Sequence, residues 1–457
     1  MAAPMKPTAK PFLVLADAFR AGHDSPSALL GRCLEAIDAR EMELQVFTAI
    51  NREGAKAAAE ASSKRWREGK PLSPVDGMPI GVKDVIETAD MPTQMGSGLF
   101  EGWSPGFDSA SVHALREAGA IIVGKTVTTE FAATRPGPTR NPYDLARTPG
   151  GSSSGSAAAV GCGMLAGGLG TQVVGSIIRP ASYCGVVGFK PSLGGINRGG
   201  SHDYMSQSCQ GVLAATLEDA WQMAIEIVMR AGGDPGYPGL VGPAVAPDAV
   251  KPGTLAFLET PGLEIATPAA RAALEEAFEN LRRAGVTIVT RRDSKALAAL
   301  EDALHETLPL TRQINAWESR WPLNTYVDRD VSKLSKGMVD RLHEAEAMNV
   351  EDYRARLMRR DEIRALFAAL RHEAAACITL SAPDVAPVGI EATGNPIFAV
   401  QASLLGVPAL TLPVAMLGGL PLGLQAIGYL NEDAALFSTA AFVQGAVGNI
   451  AIDQEKA

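Results

Sequence analysis

An α/β fold built on a largely buried sheet is what this 457-residue sequence predicts. Two segments share one arrangement. DSASVHALREAGAIIVG over 108–124, and the run from Thr267-Pro268 to Ala284-Gly285-Val286-Thr287-Ile288-Val289, each give a helical pattern, a glycine stop and a short apolar strand. Short continuous apolar strands alternating with helices are typical of a covered sheet. The third observation is residues 148–191, TPGGSSSGSAAAVGCGMLAGGLGTQVVGSIIRPASYCGVVGFKP. A flexible Gly/Ser linker lacks core-forming runs. Here small residues interleave with Ala157–Val160, Met164-Leu165, Val173-Val174, Ile177-Ile178 and Val186-Val187, the pattern of tightly packed backbone.

In chain order, residues 1–10 are rich in Pro and Lys and read as frayed. Residues 24–72 carry two helices. Ser25-Pro26 is a cap and first helical position, Ala28-Leu29-Leu30 and Leu34 mark a buried stripe, and Ala-rich 54–68 is the second helix. Pro71 to Pro79 breaks the pattern, and MPIGVKDV reads as a strand ending in a loop. In 108–124, Asp108 is the expected cap and Gly119 the stop. From about 296 to 376, Arg, Glu, Leu and Ala dominate and glycine is sparse, so this is a helical insertion, a lid or substrate-facing layer. GVPALTLPVAMLGGLPLGLQAIG returns to apolar strands, and a last helix runs from Glu432 to Gln444. No sequence repeat of fixed period is present.

Composition narrows the function. The apolar fraction is 46% and mean hydropathy is near zero, as for a globular protein with an ample core. The net charge of −9, without a basic block, argues against nucleic-acid binding. No apolar run reaches the roughly 18 residues of a membrane span. Asp17 interrupts the Phe12–Leu15 run, so no signal-peptide core is expected. Cys33, Cys162, Cys184, Cys209 and Cys377 are odd in number and lack CxxC spacing, which suggests reduced thiols in a cytoplasm. No pair of the six histidines has metal-ligand spacing, and no phosphate-binding fingerprint appears, so no phosphate-bearing cofactor is expected.

Two hydroxyl clusters in the Gly/Ser segment are candidates for chemistry. Ser152, Ser153, Ser154 and Ser156 form one cluster, and Ser176 ends a Gly-rich turn of the kind that gathers N–H groups around an oxyanion. A serine nucleophile needs a base. The nearest histidine is His202, in a Gly-rich loop. A lysine made neutral by burial, with a second serine as relay, is an alternative. Such a lysine must fall about 3 pH units from about 10.4, a cost of about 4 kcal/mol. Lys83, at the end of the apolar run Met78-Pro79-Ile80-Gly81-Val82, is the first candidate, since lysine is seldom buried without reason. Pairing with Asp84 or Glu87 is its bland explanation. Lys125, after Ala120–Gly124, is the rival.

These segments resemble the amidase signature family of Ser–Ser–Lys amidohydrolases. The resemblance spans nearly the whole chain: PIGVKDV, the stretch from Asp108 to Phe131 with GKT and TEF, Asn141-Pro142, the Gly/Ser segment through Lys190-Pro191, then GVPALTLPV and GLPLGLQAIG. It implies one amidase domain over 1–457. Its parts are an N-terminal helical region at 10–75, a signature core at 76–230, the substrate-facing insertion at about 296–376, and a return to the sheet at 377–457. It implies a central mixed, mostly parallel sheet with helices on both faces. It assigns Lys83 as base, Ser152, after a cis peptide, as bridging serine, and Ser176, 24 residues later, as nucleophile. The amides of Val173, Val174, Gly175 and Ser176 would form the oxyanion hole. The implied reaction is hydrolysis of a small-molecule amide through an acyl-enzyme, with no metal or cofactor. A homodimer is common in this family.

The match has departures. Against the common GGSSGGS…GTDxGGSxRxPA, Ser154 replaces a glycine, Gln172 an aspartate and Val174 a glycine, and the arginine moves to Arg179. That form resembles the malonamidase branch, in which the shifted arginine holds a substrate carboxylate. Arg179 could do so, or it could sit in a buried ion pair. Val174 could strain the loop if its position needs φ > 0. The family's SLDxxGP reads here as Ser206-Gln207-Ser208-Cys209-Gln210-Gly211-Val212, without its aspartate, so that loop cannot play its usual part unchanged. Two other readings stay open: an amidotransferase subunit that works in a complex, and a catalytically weak member that serves as a binding or assembly subunit.

Overall fold

In the computed structural model, residues 9–133 and 135–452 are described. The frayed start expected at 1–10 falls largely on residues 1–8, outside that range.

Local signals place most elements. Ser25 accepts from the Ala28 amide and opens the helix Pro26–Leu44, with Leu29, Leu30, Cys33, Leu34 and Ile37 turned inward. Asn51 caps Arg52–Arg67, and Thr267 caps Pro268–Arg283 with proline at its start. The cap of Ala110–Glu117 is Ser109 and not Asp108. The Asp108 carboxylate is committed elsewhere, to the Ala89 amide at 2.8 Å and to Arg116 at 3.0 Å.

The strands are β1 Phe47–Ile50, β2 Pro79–Lys83, β3 Ile121–Thr126, β4 Gly167–Gln172, β5 Val187–Lys190, β6 Cys209–Ala214, β7 Thr254–Phe257, β8 Thr287–Val289, β9 Cys377–Leu380, β10 Ala409–Leu417, β11 Leu420–Ile427 and β12 Ile450–Ile452. They form one sheet in the order β1-β3-β2-β4-β6-β5-β10-β11-β9-β7-β8, with β12 beside β10. The α/β reading and the mixed sheet hold, but the expectation that it is mostly parallel does not. Among the described residues six strand pairings are antiparallel and five parallel. The cause is connection type. Where a helix crosses over, as between β2 and β3 or β7 and β8, the strands are parallel. The centre is built from returns, including a β10–β11 hairpin that turns through Gly418 (φ 56) and Gly419 (φ 83).

The helix Ser154–Gly161 is buried at every residue and packs on β2, β3, β4 and β6. Gly155 must be glycine there, because a Cβ would sit 2.4 Å from the Val46 carbonyl oxygen and 2.5 Å from the Val127 nitrogen. The expected helical insertion is present as Lys295–Leu304, Thr307–Asp330, Lys336–Glu346 and Val350–Ala369. Thr307–Asp330 kinks at Trp321-Pro322. Leu297, Leu300, Ile314, Ile363 and Phe367 from this layer share a core with the helix Val400–Leu405. No helix among the described residues is long and apolar enough to cross a membrane.

Candidate active site

Lys83 is the last residue of β2, and Thr171 and Gln172 end the adjacent parallel strand β4. The carboxyl ends of neighbouring parallel strands are where open α/β sheets place their ligands. Lys83 is fully buried. Its Nζ lies 2.7 Å from Ser152 Oγ, 2.7 Å from Thr171 Oγ1 and 3.4 Å from the Thr171 carbonyl oxygen. No carboxylate pairs with it within 4 Å among the described residues, so the bland explanation through Asp84 or Glu87 fails. Burial pulls its pKa from 10.5 down to about 7, while the charge of Asp203 pulls the other way.

The neutral amine has two hydrogens and a lone pair. Thr171 offers two acceptors, its hydroxyl and its carbonyl. The lone pair is then left for the Ser152 hydroxyl. The Gly151–Ser152 peptide is cis, as the resemblance implied.

Ser176 follows β4 and lines a cavity of about 470 Å³, together with Val173, Val174 and Arg179. Its carbonyl accepts from the Ser153 amide at 3.2 Å, which ties the loop of Ser152 and Ser153 to that of Ser176. Among the described residues its Oγ makes no hydrogen bond, so the last link, from Ser152 to Ser176, is open. Such contacts in unliganded sites commonly close only around substrate. The N–H groups of Val173, Val174, Gly175 and Ser176 donate to no protein acceptor among the described residues. Four free donors beside the Ser176 hydroxyl fit an oxyanion hole.

Gln172, one of the departures from the common motif, clamps this loop. Its Oε1 accepts from the amides of Ile177 at 2.8 Å and Ile178 at 3.0 Å, and its Nε2 donates to Ser403 Oγ at 3.1 Å. Ser403 Oγ in turn donates to the Val174 carbonyl at 3.1 Å. Val174 is not among the non-glycine residues with positive φ, so it does not strain the loop. Ser154 and Ser156 are structural, bonded to the Val127 carbonyl at 3.1 Å and to Thr126 Oγ1 at 2.7 Å.

Arg179 is 5% exposed and donates from Nη2 to the Gly151 carbonyl at 2.7 Å and Thr393 Oγ1 at 2.9 Å. Its Nε is buried without a partner, and no carboxylate lies within 4 Å among the described residues. The buried ion pair considered from sequence is therefore absent. Burial lowers its pKa to about 10, which leaves it charged at neutral pH.

The rival lysine is also fully buried. Lys125 Nζ meets Asp84 Oδ1 at 3.3 Å, the Ile86 carbonyl at 2.8 Å and Thr93 Oγ1 at 2.5 Å. His202 pairs with Glu87 at 3.0 Å and makes no bond to Ser176. Sequence reasoning missed Thr171, Thr393 and Asp203. Only Thr171 had a signal, its place just before the nucleophile loop. The segment that lacks the family's aspartate has a different anchor: Ser206 binds Glu318 of the insertion through its amide at 2.7 Å, and Arg360 donates to its Oγ at 2.9 Å. Among the described residues no group of three or more His, Cys, Asp or Glu could hold a metal ion.

Comparison with known proteins gives the family. A family model described as Amidase matches residues 28–437. The chain belongs to the amidase family. Among curated relatives of this amidase-family chain, a glutamyl-tRNA(Gln) amidotransferase subunit from Chloroflexus aggregans is 32% identical over 459 residues, covering 92% of both chains. A crystal structure of an amidase superposes with a TM-score of 0.84 at 26% identity, over 96% of this chain and 100% of that one. The native peptide amidase from Stenotrophomonas maltophilia superposes with a TM-score of 0.76 at 26% identity, over 95% and 96%. The protein is an enzyme of the amidase family. These relatives include both amidases and amidotransferase subunits, and they do not single out the malonamidase branch.

Proposed function

We propose that this protein hydrolyses the C–N bond of a small amide through an acyl-enzyme on Ser176, and that it acts on amides carrying a carboxylate, as in the malonamidase branch. The observation that carries the reading is the buried Lys83–Ser152 hydrogen bond, 2.7 Å long, beside a nucleophile loop with four free amides. Neutral Lys83 takes the Ser152 proton as Ser152 takes that of Ser176. Ser176 Oγ attacks the carbonyl, and the oxyanion settles on the amides of 173–176. The proton returns through Ser152 to the leaving nitrogen, and ammonia or an amine departs. Water then repeats the sequence on the ester and releases the acid. Arg179, charged and without an acidic partner, is the anion anchor of this reading, since burying such a charge unpaired costs several kcal/mol.

The test is ammonia release from primary amides, half neutral and half carrying a carboxylate, with Ser176→Ala as control. Turnover that is strongest on the acidic half and lost in Ser176→Ala is expected. Substantial activity in Ser176→Ala would sink the nucleophile assignment. Arg179→Ala should raise KM about tenfold or more for the acidic half only; equal loss on neutral amides would make Arg179 structural.

A second reading is supported by relatives such as the Chloroflexus aggregans protein, 92% of which is covered. In it the same chemistry supplies ammonia inside a complex. A stable partner that co-purifies with the chain, without which no amide is turned over, would favour it.

A further inference from the structure

The cavity that holds Ser176 and Arg179 has a second buried, unpartnered charge of opposite sign. Asp203 lines it, is 4% exposed, and neither of its carboxylate oxygens accepts a hydrogen bond among the described residues. Its Oδ2 is completely enclosed. No cation comes within 4 Å of it among the described residues. Arg341, on the helix Lys336–Glu346, acts on it through space, and Arg312 lines the same cavity, but neither makes an ion pair among the described residues. Of the other acids on the wall, Asp340 is engaged by Lys336, and Glu344 and Glu391 are exposed. Asp203 is also held in place, because the Ser206 contacts with Glu318 and Arg360 pin its loop to the insertion.

An isolated buried carboxylate is expensive and usually finds a counter-charge or coordinates something. Arg179 presents the same problem with the sign reversed. Both are solved at once by a ligand carrying one charge of each kind. We propose that Asp203 forms a subsite for a cationic group, so that the substrate is a zwitterionic amide whose carboxylate meets Arg179 and whose protonated amine meets Asp203. This rests on the hydrolase reading above and gives its substrate class. It also couples binding to chemistry. Asp203 is the charge that holds the Lys83 pKa up. An ammonium docked on Asp203 cancels that field and leaves more of Lys83 in its neutral, proton-accepting form.

The experiment compares four short primary amides on the wild type and on Asp203→Asn: butyramide (neutral), succinamate (anionic), 4-aminobutyramide (cationic) and asparagine (zwitterionic). Asparagine should have the highest kcat/KM on the wild type. Asp203→Asn should lower kcat/KM at least tenfold more for the two amine-bearing amides than for succinamate. The acid limb of kcat should lie at lower pH for asparagine than for succinamate on the wild type. Equal losses across the panel, or a wild type that prefers succinamate or butyramide, would overturn the subsite. Should Asp203→Asn not fold, wild-type inhibition decides: aspartate must compete at least tenfold more tightly than succinate. Fluorophosphonate labelling of Ser176, run in parallel, separates the two levels. Labelling with the wrong amide preference removes the subsite and keeps the nucleophile, whereas absent labelling removes both.

Discussion

Lys83 and Lys125 are neighbours on adjacent parallel strands, where Lys125 pairs with Val82, and both are fully buried. Burial lowers both, to about 7 and about 8. They differ in what faces the amine. Lys125 has a carboxylate at 3.3 Å, and Asp84 holds it toward the charged state. Lys83 has two hydroxyls and a carbonyl, which leave its lone pair usable. One lysine sits in an ion pair, and the other has the surroundings that its proposed role as a base needs. Depth of burial alone does not separate them; the chemistry of the nearest oxygen does.

The sharpest way to break this contrast is to remove each amine. Lys83→Ala should lower kcat by roughly a thousandfold or more with the fold intact. Lys125→Ala should act mainly on stability, at about 3–5 kcal/mol, because Asp84 is left buried and unpaired. Thermal unfolding and turnover per folded molecule read the two effects separately, and exchanged phenotypes would mean that Lys125 is the base.

Next in size is the pH dependence. With neutral Lys83 as the proposed base, kcat/KM should rise with pH through a midpoint near 7. The sign for stability is the same. The folded pKa is lowered from 10.5 to about 7, so the unfolded chain binds more protons between those values, and Lys83 adds stability as pH climbs through that window. In Lys83→Met the stability rise should flatten. An activity limb well below pH 6 would point to a carboxylate base instead.

The smallest effect is that of Thr171→Val. It keeps the shape but removes one acceptor from Lys83, which should reduce kcat about tenfold, the equivalent of about 1.4 kcal/mol. No change would show that the lone pair needs no help from Thr171.

The contrast between the lysines was half legible in the sequence. Both stood out as lysines after apolar runs, and the order Lys83, Ser152, Ser176 followed from motifs. What kept Lys125 in contention was its similar apolar run; the sequence did not show that Asp84, next to Lys83, bonds across the strand pair to Lys125. Adjacent residues on a strand point to opposite faces, and sequence order hides which face is which. The two helix–strand units read from periodicity became the two crossovers, β2–β3 and β7–β8, and both are parallel. The mostly parallel sheet that the resemblance implied does not hold, because its centre is made of antiparallel returns, among them the hairpin at Gly418-Gly419. Asp203 was illegible, since an acid in a Gly-rich loop is ordinary until the loop is pinned against a cavity.

The Gln172 clamp has a consequence for the order in which the protein is made. Lys83, Ser152 and Ser176 all emerge in the first half of synthesis, yet the hydroxyl that anchors the nucleophile loop belongs to Ser403. With the roles proposed above, a ribosome that has passed Ser176 but not Ser403 carries Lys83, Ser152 and Ser176 without the side chain that anchors the loop. On that reading the loop gains its anchor only after most of the message has been read.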